Sequence, residues 1–534
     1  MKYYLLLVTF LCATIAQGQS KKFSFKLGTE YSLPRKSEDL SFFGNDKDGI
    51  VNLSLKKDEF NISKFDPKTL ALTSEKKIEL PELTKNFNSE TVADFGTTYY
   101  WVHSDWDKEA EKESLYYDIV DVVSGKLTVT NKKLIETTKI AGKSTVSTGF
   151  YKFKATGKYD FNYDAGKTKM MVSYRLMPEE KNDKKNYDKI GLYVFDDKMN
   201  KLWGNEFTMP YTEAIMDNSD FSVDAKGNAY LLAKVYNSDK RKEIDKETGK
   251  AGYHYEVLKF SKDSKKIINT TIAIDDYFIK ETSLIENSLH EMVIACTYSK
   301  KGKGSGTDGI FLAMMDQSGK IIKYKNGYYK FPLAELEKFE SARSKRKMER
   351  KEDYEAPNLK VRNVMIENDG SVLIACEEYY VVVHQSYSST GFSGTIYYDY
   401  FYEDIIASKI DAAGNFEWLR KIPKKQRGSN GTGTMSFKLI SDASGYYFLF
   451  LDNKKNMELE ENEVPKYHVD GFGGQVVVAK IDKAGVVSKE LVFDTRDEEV
   501  KLFPSHFSKI NGNQFIGRAN VKHGDFKPLL ITVN

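Results

Sequence analysis

The sequence predicts an all-β protein, folded as a single β-propeller of four-stranded antiparallel blades. Three observations support this prediction: short hairpins recur along the whole chain, two kinds of hairpin alternate, and helix periodicity is confined to one segment. A chain of 534 residues would otherwise form three or four ordinary domains. A repeat array accounts for the whole length with one architecture.

The first kind of hairpin occurs seven times. Its clearest copies are "IIASKIDAAGNFEWLRKIPK" at residues 405–424 and "VVVAKIDKAGVVSKELVFD" at residues 476–494. In each copy, β-branched and aromatic residues flank a turn that contains Asp, Asn, Ser, Gly or Lys, as Asp411 and Gly414 do in the first. The copies recur about every 70 residues, which exceeds the roughly 40 to 50 residues of common propeller blades.

The second kind of hairpin occurs eight times and lies between the first. Examples are "DFSVDAKGNAYLLAKVY" at residues 220–236 and "NVMIENDGSVLIACEEY" at residues 363–379. Two consecutive hairpins supply four antiparallel strands, which is one propeller blade. The near-identity of "EMVIAC" and "SVLIAC" indicates duplication of this unit. The hairpins favour eight blades, with seven as the alternative.

The two ends of the array each carry an unpaired strand. The last turn, at Asn511 and Gly512, is followed by a strand at residues 526–533 that has no successor, and residues 22–28 form a strand without a blade of its own. We expect these two strands to pair and to close the ring, because an incomplete blade leaves its edges exposed.

The first 18 residues have the pattern of a secretory signal peptide. Lys2 precedes an apolar run from Tyr3 to Ile15, and small residues follow at Ala16 and Gly18. The run is too short to span a membrane. Cys12 suggests a lipid anchor as the alternative, but Leu11 stands where such sites prefer a small residue. We therefore expect a propeller over residues 19–534, exported to the periplasm, the cell surface or the medium, without an integral membrane segment.

The extra length of the repeats is concentrated in certain connections. Those that join second to third strands are 238–253, 301–307, 381–396 and 454–473, and those that join blades are 330–358 and 425–435. Both types emerge on one face of a propeller, so we expect the insertions to decorate that face and to carry its function. The insertion near 332–353 is the one predicted helix, and its basic cluster fits either an anionic glycan or lipid headgroup or, preferably, a solvated helix face.

Residues 377–404 are the richest candidate for ligand binding. Tyrosine rings stack on sugars and on peptide side chains, and their hydroxyl groups add polar contacts. The candidate ligand-binding residues are Tyr379, Tyr380, Tyr387, Phe392, Tyr397, Tyr398, Tyr400 and Tyr402. The alternative is that these residues are cross-strand pairs that brace an elongated hairpin.

No catalytic or metal-binding motif occurs in the sequence. There is no G-x-S-x-G, phosphate loop or H-E-x-x-H, and the seven His residues are scattered. Asp399, Glu403, Asp404 and Asp470 are the carboxylates available for a hydrolase pair on the decorated face, but their spacing is not set by the sequence. We predict no catalytic residue, no metal and no cofactor.

Charge and composition exclude further classes of partner. Lys and Arg number 80 and Asp and Glu 77, and loss of Lys2 with the signal peptide leaves a net charge of about +2. No attraction to nucleic acid follows from this balance. We expect a monomer whose partner is an unknown protein or glycan.

Together with the signal peptide, hairpins such as "KIDAAGNFEW" make the chain resemble the large and mostly uncharacterised group of secreted β-propeller repeat proteins of Gram-negative bacteria. The resemblance covers most of residues 22–534 but rests on turn and strand patterns, so it transfers no site residues. It implies a non-catalytic binding or scaffold protein. The alternative is a propeller enzyme that acts on glycans, as a glycoside hydrolase or lyase.

Overall fold

A computed structural model of the protein describes residues 22–534, apart from 35–36, 58, 81–85, 144–156, 181–184, 263, 275, 388–393, 430–434 and 522–523. The predicted signal peptide, residues 1–18, lies outside the described residues. The described chain forms eight antiparallel blades arranged in a ring, which confirms the predicted eight-bladed β-propeller.

Strands are numbered in chain order. Before the first blade lie β1 (Phe23–Leu27) and β2 (Tyr31–Ser32). The first blade contains β3 (Glu38–Asn45), β4 (Gly49–Lys56), β5 (Glu59–Phe65) and β6 (Leu72–Glu79). The second contains β7 (Asn88–Asp94), β8 (Tyr99–Asp107), β9 (Lys112–Asp121) and β10 (Lys126–Thr137). The third contains β11 (Ile140–Gly142), β12 (Asp160–Tyr163), β13 (Lys169–Leu176), β14 (Tyr187–Asp196) and β15 (Lys201–Thr212). The fourth contains β16 (Met216–Val223), β17 (Ala229–Tyr236), β18 (Tyr253–Ser261) and β19 (Ser264–Ile272).

The second half of the ring is built in the same way. The fifth blade contains β20 (Phe278–Glu286), β21 (Met292–Ser299), β23 (Gly309–Met315) and β24 (Ile321–Lys330). The sixth contains β26 (Leu359–Ile366), β27 (Val372–Tyr387), β28 (Gly394–Ile410) and β29 (Phe416–Ile422). The seventh contains β31 (Phe437–Asp442), β32 (Gly445–Asp452), β34 (Gln475–Asp482) and β35 (Val487–Asp494). The eighth contains β36 (Lys501–Leu502), β37 (Ser508–Ile510), β38 (Gln514–Asn520) and β39 (Asp525–Val533), and it is completed by β1 and β2.

Four short strands and two short helices lie in the connections. The strands are β22 (Gly306–Thr307), β25 (Ala356–Pro357), β30 (Gln426–Ser429) and β33 (His468–Val469), and the helices are α1 (Leu333–Leu336) and α2 (Ala342–Glu349).

The first strand of each blade lies innermost, around a central channel. β16 contacts β12 and β20, β20 contacts β26, and β3 contacts β7 and β37. Apolar side chains on the blade faces fill the space between neighbouring blades. Phe221 and Leu231 of the fourth blade, for example, pack with Leu192 of the third. Each blade therefore buries both of its faces, which is why the strands read as nearly continuous apolar runs.

The two ends of the chain meet in the eighth blade. β1 pairs with β39 in antiparallel register, with Phe23 opposite Val533 and Leu27 opposite Leu529. The ring is thus closed by hydrogen bonds rather than by a covalent link, and these are the strands expected to pair from residues 22–28 and 526–533. Phe23 is buried, and its ring meets Tyr447 of the seventh blade at 5.7 Å.

Short Asp-x-x-Gly turns close the third-to-fourth strand hairpins of the fifth, sixth and seventh blades. Asp411 accepts hydrogen bonds from the backbone N–H and the side-chain amide of Asn415, both at 2.6 Å, and Gly414 has φ +78°. The turn at Asp482 and Gly485 repeats this geometry, with φ +84° at the glycine. The repeated motif therefore has a local cause, since glycine adopts the left-handed backbone without strain.

The described long connections lie together on one face, here called the insertion face. It comprises residues 237–252, 300–308, 331–358, 423–429, 435–436 and 453–474 and the outer part of β27 and β28. Contacts among the insertions show this directly. Ser299 donates to Glu355 at 2.9 Å, Phe339 N donates to Glu461 O at 2.7 Å, and β30 pairs with β33. The turns that the structure describes on the opposite face, here called the turn face, are short.

The helical insertion contains two short helices rather than one continuous helix. Phe339 follows α1 with φ +62°, which ends the helical path, and Ser341 caps α2 by accepting a hydrogen bond from Ser344 N at 3.1 Å. Met348 is buried while Arg343 and Arg346 are exposed. Among the described residues, no helix is long and apolar enough to cross a membrane.

Phe23→Ala tests how much the ring depends on β1. We expect a loss of about 3 kcal/mol in the free energy of unfolding, because the change removes a buried aromatic ring at the closure. Deletion through Leu27 should destabilise the protein further, because it also removes the pairing with β39. Chemical denaturation measures both effects. Ser24→Ala on the exposed side of the same strand is the control, with an expected change within about 0.5 kcal/mol. Equal stability of Phe23→Ala and the parent would contradict closure by this strand.

Candidate functional site

The sixth blade extends far beyond the others on the insertion face. β27 and β28 are 16 and 17 residues long, and their outer parts, residues 379–387 and 394–402, are together called the aromatic hairpin here. β30 pairs with β28 along this part, with Asp399 opposite Ser429 and Tyr402 opposite Gln426, and β33 pairs with β30. The aromatic hairpin therefore belongs to a small second sheet on the insertion face, formed with β30 and β33.

Cross-strand aromatic pairs hold the two strands of the aromatic hairpin together. Tyr379 meets Tyr402 at 4.9 Å between ring centroids, Tyr380 stacks on Phe401 at 4.8 Å, and His384 stacks on Tyr397 at 4.6 Å. Each of these pairs is directly opposite in the strand register. The bracing role proposed as the alternative interpretation of this segment is thus present in the structure.

The two faces of the hairpin have different surroundings. Tyr379, Tyr398, Tyr400 and Tyr402 pack into an apolar cluster with residues of the seventh and eighth blades and their connections, such as Leu502. On the other face, Tyr397 has 41% of its surface exposed. Tyr380 lies on that face as well, as the register requires.

The remaining two of the eight predicted binding residues are Tyr387 and Phe392. Tyr387 is the last residue of β27 and pairs with Gly394. Phe392 lies outside the described residues.

Asp399 and Asp470, two of the carboxylates available for a hydrolase pair, are engaged within the second sheet. Asp399 is buried and contacts His384 Nε2 at 2.9 Å and the Arg427 guanidinium at 2.7 Å. Asp470 accepts hydrogen bonds from the backbone N–H and the hydroxyl group of Ser429. Both groups hold strands together.

A β-bulge at the base of the hairpin brings three carboxyl groups together. Glu377 is opposite Ile405 and Tyr379 is opposite Tyr402, so Glu403 and Asp404 face the single residue Glu378. Bulges of this kind redirect side chains and are frequent beside functional sites. Burial, followed by the neighbouring charges of Asp404 and Glu403, raises the pKa of Glu378 to about 8. Glu378 therefore carries its proton at neutral pH.

Two tyrosines hold Glu403 beside this protonated carboxyl group. Tyr380 donates to Glu403 Oε1 at 3.1 Å, and the Tyr467 hydroxyl group donates to the same oxygen. Asp404 instead forms an ion pair with Lys421 at 3.0 Å. A proton donor thus lies near a carboxylate that is held in position, which is an arrangement that acid–base chemistry uses. Among the described residues, no group of three His, Cys, Asp or Glu side chains is placed to hold a metal ion.

The sequence indicates Glu403 and Asp404 as candidate carboxylates but not Glu378 or Tyr467. The signal for Glu378 is the pair of adjacent acids at 377–378 opposite a second acidic pair at 403–404, which becomes visible once the strands are aligned. Tyr467 belongs to the seventh blade, and only the folded insertion brings it to the hairpin.

Comparison with known proteins adds the fold but no family. No known protein-family profile and no curated protein matches the sequence. Solved structures that are similar include the polysaccharide lyase Uly1, with 9% identity and a TM-score of 0.38, covering 84% of this chain and 90% of that one.

Two further similar structures come from peptidases. The β-propeller domain of the Trilobed protease from Pyrococcus furiosus has 9% identity and a TM-score of 0.35, covering 87% of this chain and 98% of that one. Prolyl oligopeptidase B from Galerina marginata has 8% identity and a TM-score of 0.38, covering 93% of this chain and 55% of that one. At such identities the similarity is to the propeller fold alone.

Glu378→Gln tests the protonated state of the bulge. Below pH 4.5 the carboxyl group is protonated in both folded and unfolded chains and contributes no pH dependence. As the pH rises towards 8, the unfolded chain loses the proton while the folded chain keeps it, so the parent loses stability. The variant lacks this loss, and we expect it to exceed the parent by on the order of 2 kcal/mol at pH 8.5.

Denaturant unfolding at pH 4.5, 6.5 and 8.5 measures this difference, with Glu352→Gln at an exposed position as the matched control. A constant difference between Glu378→Gln and the parent across this range would show that Glu378 ionises normally.

Proposed function

We propose that the protein is an exported, non-catalytic binding or scaffold protein that engages a protein or glycan through the insertion face, with the aromatic hairpin at the centre. The secreted propeller proteins of Gram-negative bacteria, which the sequence resembles, commonly serve as such surfaces. The architecture supports this role because the ring is rigid and its long connections gather on one side.

One observation carries the proposal. Seven large apolar side chains are exposed on the aromatic hairpin and on the neighbouring insertion at 453–474, and strand pairing through β30 and β33 makes the two segments adjacent. They are Val382, Val383, Ile396, Tyr397, Tyr467, Val469 and Phe472. By the strand register, Val382 and Tyr397 lie on the Tyr380 face of the hairpin, and Val383 and Ile396 lie on the Tyr379 face. Large apolar side chains that are exposed together in this way mark interaction sites, because water penalises them in a free protein.

The patch has two features of a binding hot spot, which are large exposed side chains and an ordered backbone. Ile396 and Phe472 each expose 52% of their surface, and the aromatic residues Tyr397 and Tyr467 add hydroxyl groups at its edge. The cross-strand pairs beneath hold the backbone in place, so a ligand would meet an ordered surface. Ordered aromatic residues contribute much of the affinity in such interfaces.

Ile396→Ser and Phe472→Ser test the patch individually, and replacement of residues 385–396 by a short Gly-Ser turn tests the hairpin tip as a whole. We expect each point variant to lose about 2 kcal/mol of binding free energy, roughly thirtyfold in Kd. Binding is measured on a glycan array and by pull-down from the surface fraction of the source cells, followed by titration of the partner obtained.

Val486→Ser is the matched control, because Val486 exposes 61% of its surface but lies in the turn after Asp482 and is not one of the seven patch residues. Binding by the hairpin replacement equal to that of the folded parent would place recognition elsewhere on the ring. Loss of binding by Val486→Ser to the same extent as by Phe472→Ser would also count against the patch.

The second candidate is an enzyme that acts on glycans, and the bulge favours it specifically. A protonated Glu378 beside the Tyr-bound Glu403 has the parts of an acid–base pair. Depolymerisation of neutral and acidic polysaccharides, measured by reducing ends and by absorbance of unsaturated products, tests it. Activity that falls at least a hundredfold in both Glu378→Gln and Glu403→Gln supports the enzyme, and activity that is absent from the parent or unchanged in the variants rejects it.

A further inference from the structure

A polar cavity of about 440 Å³ lies between the sixth and seventh blades, where the central channel opens on the insertion face. Arg362 of β26 and Lys438 of β31 project from the innermost strands, and Tyr379 and Tyr402 of the aromatic hairpin form part of the wall. Ser436 and Ser505 add hydroxyl groups from two connections. The volume is within the range of small-ligand sites.

Lys438 is a half-buried cation in the wall of this cavity. Within the part of the chain that the structure describes, its ammonium group has no hydrogen-bond or ion-pair partner. Burial lowers the pKa of Lys438. An unpaired cation of this kind costs folding stability, which an anionic ligand would recover.

Arg362 is held in place by the buried Glu377. Both Nε and Nη2 of Arg362 lie 2.9 Å from Glu377 Oε2, and the guanidinium group lies over the Tyr379 ring at 5.0 Å. Glu377 is shared, because Lys424 Nζ donates to its Oε1 at 2.8 Å and the Ser436 hydroxyl group donates to its Oε2 at 2.7 Å. One carboxylate therefore pairs with two cations, Arg362 and Lys424, and does not neutralise Lys438.

We propose that this cavity binds the carboxylate or sulfate group of an acidic saccharide, with Lys438 and Arg362 as its cationic partners. The inference rests on the proposed binding function and names the ligand class for the same face. The cations match the anionic group, while the serine hydroxyls and the tyrosine side chains match the hydroxyl groups of a sugar ring. Further sugar units would extend from the cavity along the aromatic hairpin.

Lys438→Met tests the cavity, because it keeps most of the length of the side chain and removes the ammonium group. The probes are an oligogalacturonate, a sulfated dextran oligomer, a neutral oligogalactan of equal length and polyglutamate, titrated calorimetrically at low and physiological salt. We expect the parent to bind at least one of the two acidic saccharides, and we expect Lys438→Met to weaken that binding at least tenfold. Lys438→Arg should retain most of the affinity.

Two controls separate the cavity from general charge and from misfolding. Lys455→Met removes an exposed lysine from the same face and should leave affinity unchanged. The Tm of Lys438→Met should equal or exceed that of the parent, because the variant no longer buries an unpaired charge.

Four results would overturn the inference: failure of the parent to bind either acidic saccharide, equal affinity for the neutral oligomer, unchanged affinity in Lys438→Met, or polyglutamate as the only Lys438-dependent probe. If Lys438→Met binds as the parent does while replacement of residues 385–396 abolishes binding, the proposed function stands and the cavity assignment fails. If Lys438→Met weakens binding while replacement of residues 385–396 leaves it unchanged, the cavity assignment stands and the hairpin tip is not part of the site.

Discussion

The closure of the ring by β1 and β39 is the constraint on which the rest of the structure depends. Each blade buries both faces against its neighbours, so a ring with one open joint would expose two blade faces and two strand edges at once. Five residues of β1 prevent this by pairing with the last strand, and Phe23 fills the apolar space against the seventh blade. The long chain therefore behaves as one cooperative body rather than as an array with free ends.

Several residues of the insertion face have energetically unfavourable surroundings, unlike the packed residues of the ring. Apolar side chains are exposed on the aromatic hairpin, Glu378 keeps a proton in a crowded bulge, and Lys438 lies in a cavity without a carboxylate partner among the described residues. Each of these features reduces stability, and all of them lie on the face that carries the long connections. Such costs are characteristic of surfaces where selection acts on function as well as on folding.

The sequence predicts most of the fold because the decisive signals are local. The turn at Asp411 and Gly414 is specified within five residues, and the alternation of hairpins then gives the number of blades. The split of the helical insertion was not predicted, since it depends on the contact of Phe339 with Glu461 in another insertion. Local composition indicates a helix there but contains no information about that contact.

The candidate site is less predictable for a related reason. Which tyrosines face inward depends on the phase of strand alternation, and the bulge at Glu403 and Asp404 shifts that phase by one residue where the hairpin leaves the blade. The cavity beside Lys438 likewise depends on Arg362, which lines it and lies 76 positions away in the chain.

The positions of Lys22 and Asn534 have a practical meaning. Asn534 N donates to Lys22 O at 2.8 Å, and Lys22 lies near Asp442 at a short turn, so both residues are on the turn face. A linker or solid support attached at Asn534 would leave the molecule from the turn face and orient the insertion face towards the surrounding solution.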